Sequence, residues 1–231
     1  MSPASGPSRR EQRREETVTE IRSWAMEQVA EAGPEAVSLN AIARAMSMST
    51  AAIYRYFDSR DALLADLVVR CYDSLADALE NARCDDDEAA DQVRCVARAY
   101  RRWALDHANA YRLIFQTTSG SGADLAPART IPAATRSMQV MLAALAGLPS
   151  GASGQGPTDL APSRRSELDA ELRSWAARAG LPALPESTLL RGLACWTRLH
   201  GIISLELGHH LGSVGVDVDL LYEAEISSLL S

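Results

Sequence analysis

Lysine is absent from this chain, and all 23 basic residues are arginine. Together with abundant alanine, this points to a GC-rich bacterial genome, which concerns codons rather than mechanism. No run of about 18 apolar residues occurs, so no membrane span is expected. The opening MSPASGPSRREQRREE carries charge with no apolar core behind it, and no secretory signal is expected there. The four cysteines, Cys71, Cys84, Cys95 and Cys195, form no CxxC pair and no zinc-ligand spacing. They read as reduced thiols of a cytoplasmic protein with no metal site. Alternating β-branched runs are missing, which excludes a sheet architecture. Nucleophile-elbow, metal and glycine-rich phosphate motifs are missing as well. Glu206 near His209 and His210, and Cys195 five residues before His200, therefore do not make an enzyme, and no cofactor is expected.

The chain is rich in helical pattern. Its 231 residues, 47% hydrophobic and 23% charged, suit one large or two small globular domains. That length buries a sizeable core without disulfides. Val18, Ile21, Ala25 and Val29 recur at three- and four-residue steps, and Gly33-Pro34 ends that helix. Ser38 is placed to cap a short helix, Leu39 to Met46. Ser47 to Ser49 make a tight connection, and a third helix is expected from Thr50 to about Tyr56. Asp58 and Ser59 announce a fourth, with Leu63, Leu67, Cys71 and Leu75 on one face. Later stripes are Val93, Val96, Tyr100, Trp103 and His107, then Met138, Met141, Leu142 and Leu145. TTSGSGADLAPARTIP between them reads as a loop or broken helix. Ala146 to Ser163, rich in Gly, Pro and Ser, reads as a flexible loop. Three closing helices are expected near Arg164 to Ala179, Ser187 to Leu211 and Asp217 to Leu230. The fold class is all-α.

Net charge is −7, which by itself argues against a nucleic-acid partner. Its distribution changes that reading. Residues 1–60 hold 8 arginines against 8 acidic residues, whereas residues 61–231 hold 15 against 22 and carry the whole excess. A neutral N-terminal module still binds DNA if its arginines face one way.

Two short helices joined by a tight turn, after a longer packing helix, form a helix-turn-helix, whose second helix enters the major groove. That geometry accounts for SMSTAAIYRYF, Ser47 to Phe57. Thr50, Ala51 and Ala52 are small enough for close approach to the groove floor. Ile53 and Phe57 point to the core. Tyr54 and Tyr56 offer hydroxyls to phosphates, Arg55 reaches a base or a phosphate, and Arg60 starts the next helix. Residues 10 to 70 resemble the DNA-binding domain of the TetR family of bacterial repressors. The family pattern, a small residue followed by Leu/Ile-Tyr-x-(His/Tyr)-Phe-x-x-Lys, appears as Ala52-Ile53-Tyr54-Arg55-Tyr56-Phe57-Asp58-Ser59-Arg60. Ile42-Ala43 and Ser49-Thr50 match too. Ser47 stands where the family usually has a turn glycine, so a left-handed backbone there would be strained. The resemblance implies a helix-turn-helix domain over residues 1–60, with 1–8 disordered. It implies DNA contacts from Ser38, Asn40, Ser49, Thr50, Ala51, Ala52, Tyr54, Arg55, Tyr56 and Arg60.

Residues 61–231 are then expected to form a helical ligand-binding and dimerisation domain. LACWTRLHGIISLELGHHLG resembles the family subgroup named for a Trp-His-Gly signature, through Trp196, His200 and Gly201. The apolar steps along this helix and the last one would build a four-helix interface between two copies. Leu193, Trp196, Ile203, Leu207, Leu221 and Ile226 are the candidates. Tyr100, Trp103, His107, Tyr111, Phe115, Met138, Met141, Trp196 and His200 are candidates for an effector pocket of apolar walls and few polar anchors. The expected protein is a cytoplasmic, ligand-responsive repressor. It binds an inverted-repeat double-stranded operator as a homodimer, with a small-molecule effector and no membrane partner. The alternative is a thiol-based redox-sensing DNA-binding regulator using Cys71, Cys84 or Cys95.

Overall fold

The computed structural model describes residues 8–82, 84, 88–116, 126–148 and 160–230. Among these residues the chain is helical with no strand. The described residues divide into two compact units, one within Met1–Cys71 and Asn109–Thr130, the other within Tyr72–Ala108 and Ile131–Ser231.

The first unit opens with α1 (Arg9–Ala32). Residues 1–7 of the expected disordered stretch lie outside the described residues, while Ser8 is the N-cap. Its N–H donates to Glu11 Oε2 at 2.6 Å, and its hydroxyl accepts from the Glu11 N–H at 3.3 Å. This reciprocal box satisfies two donors that the first turn leaves open. The stripe Val18, Ile21, Ala25 and Val29 is buried, as its period predicts. A 3₁₀ turn at Pro34–Ala36 leads to α2 (Leu39–Ala45), which buries Leu39, Ile42 and Ala43. Next comes α3 (Thr50–Ile53), shorter than its expected end at Tyr56. Beyond Ile53 the chain winds more tightly. The Arg55 N–H reaches Ala52 O at 3.3 Å and the Tyr56 N–H reaches Ile53 O at 2.8 Å, both three-residue steps. Ile53 and Phe57 are both buried. Then α4 (Arg60–Glu80) begins in this unit and runs into the other. Arg22 grips Asp66 through Nε at 2.8 Å, pinning α1 to α4. From α6 (Ala108–Gln116), Tyr111 and Leu113 complete the core.

The α2–α3 turn is a Schellman motif. The Met48 N–H donates to Ala43 O at 2.8 Å, and the Ser47 N–H to Arg44 O at 3.1 Å. Ser47 takes the left-handed position, with φ 53°. A side chain there costs about 1 kcal/mol, so Ser47→Gly should raise the melting temperature by about 2–4 °C for a chain of this size. Calorimetry of the two proteins measures it.

The second unit is built around α9 (Glu186–Leu207), against which α5 (Ala89–Asp106), α8 (Pro162–Ala179) and α10 (Val218–Leu230) pack. From α7 (Pro127–Ala146), Leu142 joins Leu172, Ala176 and Leu189 in a buried cluster. Gly192 on α9 is required there, because a Cβ would run into Leu142 Cδ2. The α7 helix begins at Pro127 and keeps Pro132 inside, where a loop or broken helix was expected. Residues 117–125 and 149–159 of the two expected loops lie outside the described residues. Arg101 bonds Glu206 with two nitrogens, at 2.7 and 2.8 Å, and Asp219 at 2.7 Å, while its guanidinium covers the Tyr222 ring.

One expectation is overturned. Cys84 and Cys95 are not reduced thiols but a disulfide, their Cα atoms 6.1 Å apart. Cys84, just beyond α4, and Cys95, on α5, have their backbones within disulfide range. Their separation of 11 residues carries no pairing signal of its own.

Candidate nucleic-acid interface

Two serines build the interface. Ser38 caps α2, its hydroxyl accepting from the Ala41 N–H at 3.3 Å, and its own N–H donates to Gln28 Oε1 at 2.8 Å. Ser49 caps α3, accepting from the Ala52 N–H at 3.2 Å. With these caps in place, Asn40, Ser49, Thr50, Ala51, Tyr54 and Arg55 are exposed, and Ser38, Ala52 and Tyr56 are half-buried. Tyr54 is 45% exposed, an unusual position for a large aromatic ring with no task inside the fold. Tyr56 lies under the Arg14 guanidinium, 5.2 Å from its ring centroid.

Arg60 is held differently. Its Nη2 donates to Pro34 O at 2.7 Å and its Nε to Val37 O at 3.1 Å, with Glu35 and Asp61 each 3.3 Å away. The guanidinium is engaged in tying α4 to the turn before α2. Arg44, absent from the sequence-based set, is exposed in the last turn of α2. Among the described residues it makes no ion pair.

Ion pairing divides the arginines within each unit, and in the first Arg22, Arg60, Arg70 and Arg129 hold carboxylates. In the second unit Arg94, Arg98, Arg101, Arg136, Arg164, Arg165, Arg173 and Arg198 each hold a carboxylate, while Arg102 and Arg178 hold none among the described residues. In the first, Arg9, Arg10, Arg13, Arg14, Arg44 and Arg55 hold none among the described residues. The local balance of charge therefore conceals a set of cations left available to an external polyanion. Composition could not reveal this, because the pairs join residues as far apart as Arg22 and Asp66.

The effector candidates fall into both units. Tyr111 and Phe115 belong to the first, their rings 4.9 Å apart. Tyr100, Trp103, His107, Met138, Met141, Trp196 and His200 belong to the second. Within it, Tyr100 Oη meets His200 Nδ1 at 3.3 Å, His200 Nε2 meets Ser204 Oγ at 3.3 Å, and the Trp196 and His200 rings are 5.4 Å apart. Trp103 stacks with His107 at 5.5 Å and donates to Ser74 Oγ at 3.0 Å. Met141 Sδ lies 3.7 Å from Cys195 Sγ. The Ser137 hydroxyl is buried with no hydrogen-bond partner among the described residues. Burial pushes the Cys71 and Cys195 thiols up to about 12, so neither is a reactive thiolate.

Burial also lowers the pKa of His200 from its ordinary 6.5. Folded His200 favours its neutral form, so its contribution to stability is complete above that value and is lost as pH falls through the lower folded one. His200→Gln should therefore flatten the decline in melting temperature between about pH 7 and pH 5. Melting curves of both proteins across that range measure the difference.

Of the interface candidates, Ile203, Leu207 and Ile226 are buried inside a single chain, while Leu193, Trp196 and Leu221 are partly exposed.

Residues 21–67 match the description "Bacterial regulatory proteins, tetR family", and residues 93–229 match "Tetracyclin repressor-like, C-terminal domain". The HTH-type transcriptional regulators Rv1816 of Mycobacterium tuberculosis and Mb1846 of Mycobacterium bovis are each 30% identical over 226 residues, spanning 96% of this chain and 94% of their own. The solved structure of the proposed regulatory protein SCO4313 is 38% identical, with a TM-score of 0.75, over 97% of this chain and 99% of that one. The TetR family regulator PfmR from Thermus thermophilus, at 19% identity and a TM-score of 0.56 over 91% of this chain and 96% of that one, shares the fold.

Proposed function

The chain belongs to the TetR family of DNA-binding, non-enzymatic transcriptional regulators, and from that premise we propose that it is a ligand-responsive repressor binding an inverted-repeat operator as a homodimer. The observation that carries the DNA reading is the exposed set Asn40, Arg44, Thr50, Tyr54 and Arg55 on two capped helices, with Arg44 and Arg55 free of carboxylates among the described residues. Thr50 and Arg55, on and just after α3, face bases, and Tyr54 and Tyr56 anchor phosphates. Arg60 acts through the scaffold, holding the turn before α2. Footprinting of the protein on DNA from upstream of its own gene tests this: protection of two half-sites is expected, and no protection at micromolar protein overturns it.

The second copy docks on the outer face of α9 and α10. Thr197, Gly201 and Leu205 follow one another at four-residue steps, and a Cβ on Gly201 would meet nothing within 4 Å in one chain. Leu205 is 44% exposed and Leu220 69%. Trp196, His200 and Gly201 support membership of the Trp-His-Gly subgroup. Leu220→Glu should leave the helical signal intact and shift the sedimenting species from dimer to monomer. A parent protein that sediments as a monomer at micromolar concentration contradicts the dimer. No described helix is long and apolar enough to cross a membrane, in keeping with a cytoplasmic regulator.

The effector is a small, neutral or mainly apolar molecule held in the second unit, near Met141, Trp196 and the Tyr100–His200 bond, with the buried Ser137 hydroxyl as a further anchor. It lowers DNA affinity only as far as it binds the DNA-incompetent state better. A coupling of 1–3 kcal/mol corresponds to roughly 5- to 150-fold.

The Cys84–Cys95 bond supports a second reading, regulation by oxidation. Disulfides in cytoplasmic proteins of mesophiles are commonly redox-sensing or catalytic. With a peroxide as oxidant, the two thiols lose two protons and two electrons, the S–S bond forms, and the O–O bond breaks to give water and an alcohol, or two waters from hydrogen peroxide. Equal operator affinity for the reduced and peroxide-treated protein, with the linkage verified by mass spectrometry, discards this reading.

A further inference from the structure

We propose that the first two turns of α1 form a second DNA-contacting surface, in which Arg9, Arg10 and Arg13 bind backbone phosphates beside the stretch read by α3. The inference rests on the DNA-binding reading above and extends it to residues preceding the family match, which begins at residue 21.

The charges at the start of α1 conflict with the helix that carries them. Cations near a helix N-terminus oppose its macrodipole. Arg9 and Arg13, like Arg10 and Arg14, are spaced four residues apart, where like charges repel. Four arginines in the first six residues of α1 therefore work against the helix that carries them. Nearby carboxylates do not pair with Arg9, Arg10 or Arg13 among the described residues, and this includes the exposed Glu16, three residues beyond Arg13. Glu11 is engaged in the capping box with Ser8, and Glu15 bridges to Arg22 at 3.1 Å and Arg70 at 3.6 Å. Arg9, Arg10 and Arg13 are exposed and make no ion pair among the described residues. A local choice that opposes its own element marks a site with an external task.

Position supplies the occupant. Arg14 lies over the Tyr56 ring at 5.2 Å, so this end of α1 adjoins the turn that presents Tyr54 and Arg55. A polyanion engaged by that turn passes close to the α1 arginines, and duplex DNA brings phosphates on both sides of the groove it opens to α3. The contacts are sequence-independent, because a phosphate carries no base identity.

The experiment is a salt titration by fluorescence anisotropy on a footprinted operator duplex. It compares the full-length parent, the triple variant Arg9→Gln/Arg10→Gln/Arg13→Gln, and a control with Arg164→Gln/Arg165→Gln on α8. Each lost phosphate contact reduces the slope of log affinity against log salt by about 0.9, so the triple variant should lose about 2.7 per protomer while keeping its preference for operator over scrambled DNA. The control should match the parent. Trimming the duplex flanks should bring the parent to the variant's slope. A triple variant with the parent's slope on the long duplex overturns the proposal. So does one that loses sequence preference, since these residues would then be reading bases. A parent that binds no duplex overturns the DNA reading itself, and this inference with it.

Discussion

Arg55→Ala is expected to cost on the order of 1–3 kcal/mol at each half-site, and so on the order of 2–6 kcal/mol for a dimer on its full operator. Arg55 follows the last α-helical turn of α3, is exposed, and has no carboxylate partner among the described residues, so its removal costs the fold nothing comparable. The loss should concentrate on one base pair in each half-site: substituting that pair should hurt the parent and leave the variant almost indifferent. Arg55→Lys should rescue poorly if the contact is bidentate, because an ammonium lacks the planar fork. Competition binding against a panel of single-base operator variants measures this. An equal loss on every sequence would move Arg55 from bases to phosphates.

The second large effect is on stability. Arg101→Met should lower the stability of the second unit by about 3 kcal/mol, toward the lower end of what breaking a buried ion pair costs. Side-chain exposure is only 15% for Arg101 and 18% for Glu206. Removing the guanidinium strands the Glu206 carboxylate, bares the Tyr222 ring and releases Asp219 on α10. Arg98 on the same helix is the contrast. It bonds Glu223 through two nitrogens at 2.7 and 2.8 Å, an equally close geometry, but the pair is 48% and 44% exposed. Solvent screens such a pair, so Arg98→Met should cost about 1 kcal/mol or less. Urea denaturation of the three proteins separates the cases. Equal losses would mean that geometry, not burial, sets the strength of these bridges.

Local features were legible in the sequence and distant ones were not. The Val18, Ile21, Ala25 and Val29 stripe and the cap at Ser38 follow from neighbours within a few residues, and the left-handed Ser47 from the turn glycine of the family pattern. α3 ends at Ile53 because Arg55 and Tyr56 then take three-residue steps, a change that apolar spacing does not encode. The roles of Arg60 and Arg101 depend on partners 26 and 105 residues away. Nothing in RYFDSRD separates an arginine that closes a turn from one held out to solvent. Ile203, Leu207 and Ile226 carry the periodicity of any buried face, and periodicity does not say whether the neighbour is the same chain or a second copy. Tyr111 and Phe115 read as continuous with Tyr100 and Trp103, yet the helix break at His107 sends the chain back to the first unit. The same limit hid the α1 arginines: their number was plain, but their lack of partners required the fold.

The most direct test of a sequence-specific reader on α2 and α3 is selection of duplexes from the source genome by purified full-length protein, run in parallel with Arg55→Ala. The parent is expected to enrich fragments sharing one inverted repeat, including DNA upstream of its own gene. The half-site centres should lie about 34–36 Å apart or a multiple of that, and the variant should lose the enrichment while keeping its fold. A parent that enriches no common sequence, or a variant that enriches the same sites equally well, would contradict it.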